Sequence, residues 1–322
     1  MAETSAIEWT DATFNPWVGC TKISPACDNC YAETWADRFG EKVWGNNPRR
    51  RTSEQNWNQP RKWNRDADKW QLEHGRPRFV FCASLADVFD NQVPEEWRDD
   101  LWALIKECDQ LIWLLLTKRP QNISKMLPQD WGDGYSNVWL GTTVENQDVT
   151  NRNVPELVAI PAVKRFLSIE PMLGPIDLKQ VWVDDHEWMD VLHGHAEACD
   201  IVDGWEACEW APMPIDWVIA GGESGKDARP ADPDWYRTLR DDCFMASVPF
   251  HFKQWGEWIP ISISPDKDHI GFDRTQDPRL YIPVPRDVQT SMIGEGQAVA
   301  RIGKKNAGRL LDGKTWDERP TP

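Results

Sequence analysis

Leu111-Ile112-Trp113-Leu114-Leu115-Leu116-Thr117-Lys118-Arg119 decides the fold. The run is apolar without alternation and then stops on a hydroxyl and two cations. A strand with one wet face alternates apolar and polar residues, whereas a strand covered on both faces does not. Shorter runs of the same kind recur at 79–82, 137–140, 165–169, 216–220 and 249–252, each ending in polar or Gly-rich residues. Helical patterns lie between several of them. Segment 94–109 opens Pro94-Glu95-Glu96 and carries Trp97, Leu101, Ala103, Leu104 and Cys108. Pro and acids suit a first helical turn. Segment 232–245 opens Asp232-Pro233-Asp234, and 31–39 spaces Tyr31, Trp35 and Phe39 four residues apart. Such alternation predicts an α/β fold, a (β/α) partial TIM-like barrel over 1–258 with two insertions, followed by a C-terminal extension, 259–322.

The 322 residues are 40% hydrophobic and 27% charged, an ordinary soluble composition. Net charge is −16 and the pI about 4.8, so bulk attraction to DNA or an acidic membrane is not expected. The insertions are the exceptions to an even pattern, at about 40–78 and 183–213. Residues 38–78 carry eleven Lys or Arg against five acids, interleaved with Phe39, Trp44, Trp57, Trp63 and Trp70. Cations bind phosphates and aromatics stack on bases, a footprint for a nucleotide or nucleic acid. The competing reading is a solvated charged face anchored by buried Trp. The second insertion is acidic and holds His193, His195, Cys199 and Cys208. These read as a second, zinc-type site or as an acidic excursion with incidental His and Cys, since the spacing fits no common zinc pattern. The N-terminus shows no signal peptide, and no apolar run is long enough to span a bilayer. The expected location is the cytoplasm.

Three of the eight cysteines sit within eleven residues: Gly19-Cys20-Thr21-Lys22-Ile23-Ser24-Pro25-Ala26-Cys27-Asp28-Asn29-Cys30. Thiolates this close favour soft metals. Structural zinc wants four ligands in well-spaced pairs, and only one pair plus a single is present. A [4Fe–4S] cluster usually takes four thiolates, so three would leave one iron open to a ligand. Zinc with a remote fourth ligand such as Cys82, or no metal at all, are the alternatives.

The chain resembles a phage and prophage protein family with a three-cysteine motif, which in turn resembles the radical S-adenosylmethionine superfamily. The stretches that carry this are Trp9-Thr10-Asp11-Ala12-Thr13-Phe14-Asn15-Pro16-Trp17, Leu116-Thr117-Lys118-Arg119-Pro120, Leu140-Gly141-Thr142-Thr143-Val144-Glu145-Asn146, Leu167-Ser168-Ile169-Glu170-Pro171-Met172-Leu173-Gly174, Gly221-Gly222-Glu223-Ser224-Gly225, Phe252-Lys253-Gln254-Trp255-Gly256 and Gly303-Lys304-Lys305-Asn306-Ala307-Gly308-Arg309. The chain departs from the superfamily loop in two places: six residues, not three, separate the first two cysteines, and Asn29 holds the position of an aromatic.

The resemblance implies a [4Fe–4S] cluster on Cys20, Cys27 and Cys30. It also implies one-electron cleavage of S-adenosylmethionine to methionine and a 5′-deoxyadenosyl radical, and an electron donor such as flavodoxin or ferredoxin in a bacterial host cell. Barrels bind ligands at the carboxyl ends of their strands. There the candidates for holding the cofactor are Tyr31, Ser84, Thr142, Glu145, Ser168, Gly221, Gly222, Glu223 and Ser224. Those for catalysis are Lys118, Glu170 and Lys253. The substrate expectation is a nucleobase, nucleotide or nucleic acid. The competing class is a non-catalytic, metal-stabilised nucleic-acid-binding or adaptor protein.

Overall fold

Seven strands run parallel and lie side by side in chain order: β1 (Ala12–Thr13), β2 (Arg78–Cys82), β3 (Leu111–Thr117), β4 (Val138–Thr143), β5 (Lys164–Ile169), β6 (Trp217–Gly221) and β7 (Phe250–Gln254). A computed structural model describes residues 5–198, 213–263, 270–272, 289–293 and 297–322. The sheet curls into a half-barrel with β1 at one edge and β7 at the other. Both faces are dry, as the unalternating runs require, but they are filled differently. Val80, Trp113, Leu115, Leu140, Leu167 and Val218 belong to the helix-covered core. Their neighbours Phe79, Phe81, Leu114, Trp139, Phe166, Trp217 and Ile219 form a separate cluster around Trp9 on the concave side.

Three longer helices cover the convex face, and a shorter one packs Ala36 into a separate small cluster with Val18 and Val43. α1 (Tyr31–Arg38) follows the cysteines, with Cys30 at its N-cap position. α2 (Glu95–Glu107) has acids in its first turn and buries Leu101, Trp102, Leu104 and Ile105. α3 (Gln147–Val158) is capped by Asn146, whose side chain accepts from the Val149 amide. α4 (Pro233–Met245) is capped by Asp232 and buries Tyr236, Leu239 and Cys243. Among the described residues no helix is long and apolar enough to cross a membrane.

The basic insertion folds as three short helices, Glu54–Trp57, Gln59–Arg65 and Ala67–His74. Trp57, Trp63 and Trp70 serve packing, while Phe39 at its edge is exposed. Trp57 and Trp63 are in the main core, and Trp70 stacks on His74 with the Arg78 guanidinium 4.0 Å over its ring. The acidic insertion starts as an antiparallel sheet of Val181–Trp182, Glu187–Asp190 and His195–Ala198. Cys199 and Cys208 lie outside the described residues. His193 and His195 are exposed, and His193 Nδ1 is 2.8 Å from Asp190.

The C-terminal extension is part of the barrel's construction. After a four-stranded antiparallel sheet, the chain returns beneath the half-barrel. His251 of β7 bridges Asp317, and the Phe252 amide donates to the Trp316 carbonyl. Arg319 then donates to the Glu8 carbonyl at 2.8 Å, beside β1. The last residues thus strap the two sheet edges together at the amino ends of the strands.

Gly141 shows how tightly the concave side is filled. A Cβ there would sit 2.5 Å from the Phe166 ring. Gly141→Ala is expected to destabilise the protein by about 1–3 kcal/mol through overpacking, and Phe166→Leu on that background should restore part of the loss. Chemical denaturation checks both. Wild-type stability in the single variant would contradict the packing described.

Candidate functional site

Along a strand, side chains alternate between faces. On the concave side the aromatic layer is therefore followed, two and four residues on, by another layer towards the carboxyl ends. Leu116 leads to Lys118, Gly141 to Thr143, Phe166 to Ser168 and Glu170, Ile219 to Gly221, and His251 to Lys253. Contacts across strands agree with this placement. Lys118 Nζ is 3.3 Å from Thr143 Oγ1. Lys253 Nζ pairs with Glu170 Oε1 at 3.0 Å, and Trp9 Nε1 donates to Glu170 Oε2 at 3.3 Å. The mouth of the half-barrel is thus polar and charged, and its floor is aromatic. Lys118, Ser168, Glu170, Gly221 and Lys253 are brought together there.

Other rim residues are committed elsewhere. Thr142 falls on the helix-facing side, fully buried, and its hydroxyl donates to the Thr117 carbonyl at 3.0 Å. Its neighbour Thr143 holds the concave position. Ser84 Oγ is bonded to Asn15, and the Ser84 carbonyl accepts from the Tyr31 hydroxyl at 2.7 Å. Ser224 Oγ accepts from Gln254. Gly222 is required by close approach, since a Cβ would meet the Trp255 carbonyl oxygen at 1.9 Å.

The three cysteines occupy the loop that leaves β1 and crosses this mouth. All three are free thiols, Cys27 buried and the other two half-buried. Gly19 starts the loop at φ +116°, with its amide on the Leu85 carbonyl. A Cβ at Gly19 would meet the Val43 carbonyl at 2.3 Å, so the turn admits only glycine. A one-turn 3₁₀ helix, Pro25–Cys27, then carries the second cysteine.

Three anchors hold the loop down. The first is Arg119, which bonds the Thr21 carbonyl at 2.8 Å, lies 3.5 Å from Cys20 Sγ, and is paired with Asp87 at 2.9 Å. Asp87 also accepts from the Thr117 hydroxyl and the Lys118 amide. The second is Glu145, fully buried, whose Oε1 accepts from the Ala26 amide at 3.0 Å while Oε2 has no partner among the described residues. The third is Arg229, which grips Glu223 at 2.6 Å and reaches the Pro25 carbonyl and Asp28. Burial pushes the Glu223 carboxyl up, but the Arg229 contacts outweigh that and hold it below the ordinary glutamate value. Of the positioning residues Arg119, Asp87 and Arg229, the last is the one that the sequence reading did not single out. Arg119 and Asp87 follow strands directly, where a buried cation and acid suggest a pair. Nothing local in the sequence marks Arg229.

Among the described residues, no three His, Cys, Asp or Glu side chains converge as a single-ion site. A cubane asks for something else, because each thiolate binds a different iron. One short loop with three free soft donors, Cys20 and Cys30 half-buried and Cys27 buried, has the number of thiols that a cluster with one open iron asks for. The orphaned Glu145 Oε2 beside the loop adds an acceptor with spare capacity.

The model of a family described as "Protein of unknown function (DUF5131)" matches residues 4–320, and the chain belongs to that family. No curated protein and no solved structure matches it.

Cys20 gives a direct check of this geometry. Burial, aided by Asp87 and opposed by Arg119, pushes its thiol up to about 11. Below that pH the reactive thiolate fraction grows about tenfold per pH unit. In metal-free protein, alkylation of Cys20 by iodoacetamide should therefore accelerate about tenfold per unit from about pH 7 to 9, read by peptide mass spectrometry. A rate already level across that range would contradict the buried placement.

Proposed function

We propose that this protein is a radical S-adenosylmethionine enzyme acting on a nucleobase- or nucleotide-type substrate at the mouth of its half-barrel. The observation that carries the proposal is the position of the three-thiol loop. It leaves the first strand and is pinned, by Arg119, Glu145 and Arg229, over a rim that gathers Lys118, Thr143, Ser168, Glu170 and Lys253.

Cys20, Cys27 and Cys30 would hold the [4Fe–4S] cluster. When bound and reduced, by a donor such as flavodoxin or ferredoxin, the cluster supplies the electron that splits S-adenosylmethionine into methionine and a 5′-deoxyadenosyl radical. The remaining work belongs to the chain. Gly221 and Gly222 keep the rim low where backbone approaches ligand: a Cβ at Gly221 would meet Glu170 Oε1 at 2.9 Å. Glu170 suits an ammonium or a ribose hydroxyl, and Lys253 suits a carboxylate. Each neutralises the other at 3.0 Å before a ligand arrives. A zwitterion that pairs with both would replace one ion pair by two.

Ser168 and Thr143, both nearly inaccessible on the concave side, offer hydroxyls below that pair. The Thr142 hydroxyl and the Glu223 carboxylate are engaged by Thr117 and Arg229, so their part is to shape the rim. Beneath, the cluster of Trp9, Phe81, Trp139, Phe166 and Trp217 closes the barrel to water from the amino end. A reactive radical needs such a dry floor to prevent side reactions.

Anaerobic reconstitution should yield brown protein with about four irons per chain. With dithionite and S-adenosylmethionine it should release 5′-deoxyadenosine, and a Cys27→Ala variant should not. Colourless protein with tightly bound zinc and no cofactor cleavage would instead establish a metal-stabilised binding module.

A further inference from the structure

Beside the cysteine loop lies a cavity of about 330 Å³ whose charge is one-sided. Its walls come from the cysteine loop (Ile23), the turn after β3 (Lys118, Arg119 and Gln121) and α3 (Arg152). Asn91 contributes from a fourth side. No Asp or Glu lines it among the described residues.

The three cations are not equivalent. Arg119 is spent: its charge is matched by Asp87, and its other nitrogen holds the Thr21 carbonyl. Among the described residues the Lys118 ammonium bonds only the neutral Thr143 hydroxyl. Among the described residues Arg152 has only its Nε engaged, by the Asn153 side-chain oxygen at 3.1 Å. Two positive charges therefore face one small volume without an acid to balance them. Asn91 uses its side-chain oxygen to accept from Asn122, which leaves its amide N–H₂ as a further donor. Donors are in excess and anions are missing.

We propose that this cavity binds the phosphate group of a phosphate-monoester substrate. Two unmatched cations call for a dianion rather than a carboxylate, and a guanidinium with an ammonium and amides supplies donors to several oxygens at once. At about 330 Å³ the cavity has room for a phosphate and an attached sugar, and the rest of a larger molecule would extend outward. Lys118 belongs to both the cavity and the concave rim, so an anchored phosphate puts its bearer over the mouth of the half-barrel. The cavity's affinity for the anion stands by itself. Its role as the substrate anchor rests on the enzymatic reading above.

Calorimetric titration of the full chain with inorganic phosphate and with ribose 5-phosphate tests this. It is run without S-adenosylmethionine or reductant, so failure of cofactor cleavage leaves it untouched. Both probes are expected to bind at one site per chain. Arg152→Gln, on an exposed helical position, and Lys118→Met should each weaken binding about tenfold or more. Lys125→Gln, an exposed cation nearby and outside the cavity, should leave it unchanged. No binding to the wild-type chain, or binding indifferent to Arg152→Gln, or an equal loss with Lys125→Gln, would overturn the site. Binding of phosphate with exclusion of ribose 5-phosphate would overturn its role as the anchor of a larger substrate.

Discussion

The buried pair of Asp87 and Arg119 is the interaction on which the proposed site depends. Both side chains are about 6% exposed, and an ion pair removed from water is a poor investment on Coulomb energy alone. This one is offset by hydrogen bonds on every side. Asp87 accepts hydrogen bonds from the Phe89 amide, the Thr117 hydroxyl, the Lys118 amide and Arg119. Arg119 spends what remains on the Thr21 carbonyl and the sulfur of Cys20. The pair thus joins three separate pieces of chain: the segment after β2, the turn after β3, and the cysteine loop. Removing either partner would leave the other charge buried and unmatched, a loss of about 3–5 kcal/mol in comparable cases. It would also release the first thiol from the rim.

The second constraint is the two-residue period of the strands. One face of each strand must meet helices, so the other face is left to fill the inside of the half-barrel. Near the amino ends that inside is large and aromatic. Near the carboxyl ends the same positions become Lys118, Thr143, Ser168, Glu170 and Lys253. A single register therefore produces both a sealed floor and a charged mouth. The C-terminal strap serves the same end: by tying β7 to the Glu8 region through Asp317 and Arg319, it closes the edge that seven strands leave open.

Much of this was legible in the chain itself. Six of the seven strands, β2 to β7, coincide with apolar runs whose lack of alternation reported two covered faces. β1 was not visible, because Ala12–Thr13 is too short for any period and sits among Trp, Phe and Pro. α3 was hidden for a different reason. Five of its twelve residues are Gln, Asn, Asp or Thr and Pro155 lies inside, so the cap at Asn146 and the buried Val149, Val154 and Leu157 are what identify it. At the rim, sequence order located the strand ends but not their parity, so Thr142 and Thr143 looked equivalent. Register assigns the first to the helices and the second to the mouth. The clasp of Arg229 on Asp28 joins residues 201 apart, and no local pattern encodes such a contact. The Trp-bearing basic insertion illustrates the limit of composition. Its alternation of cations and aromatics suited a base-stacking surface, yet Trp57 and Trp63 are core residues.

The central claim is that the three thiols hold a cluster with one iron free for S-adenosylmethionine. The most direct test is the EPR spectrum of anaerobically reconstituted, dithionite-reduced protein, recorded before and after adding that cofactor. The account predicts a reduced [4Fe–4S] signal whose shape shifts on addition, because the open iron gains a new ligand. Absence of an iron–sulfur signal, or one unmoved by saturating S-adenosylmethionine, would contradict it.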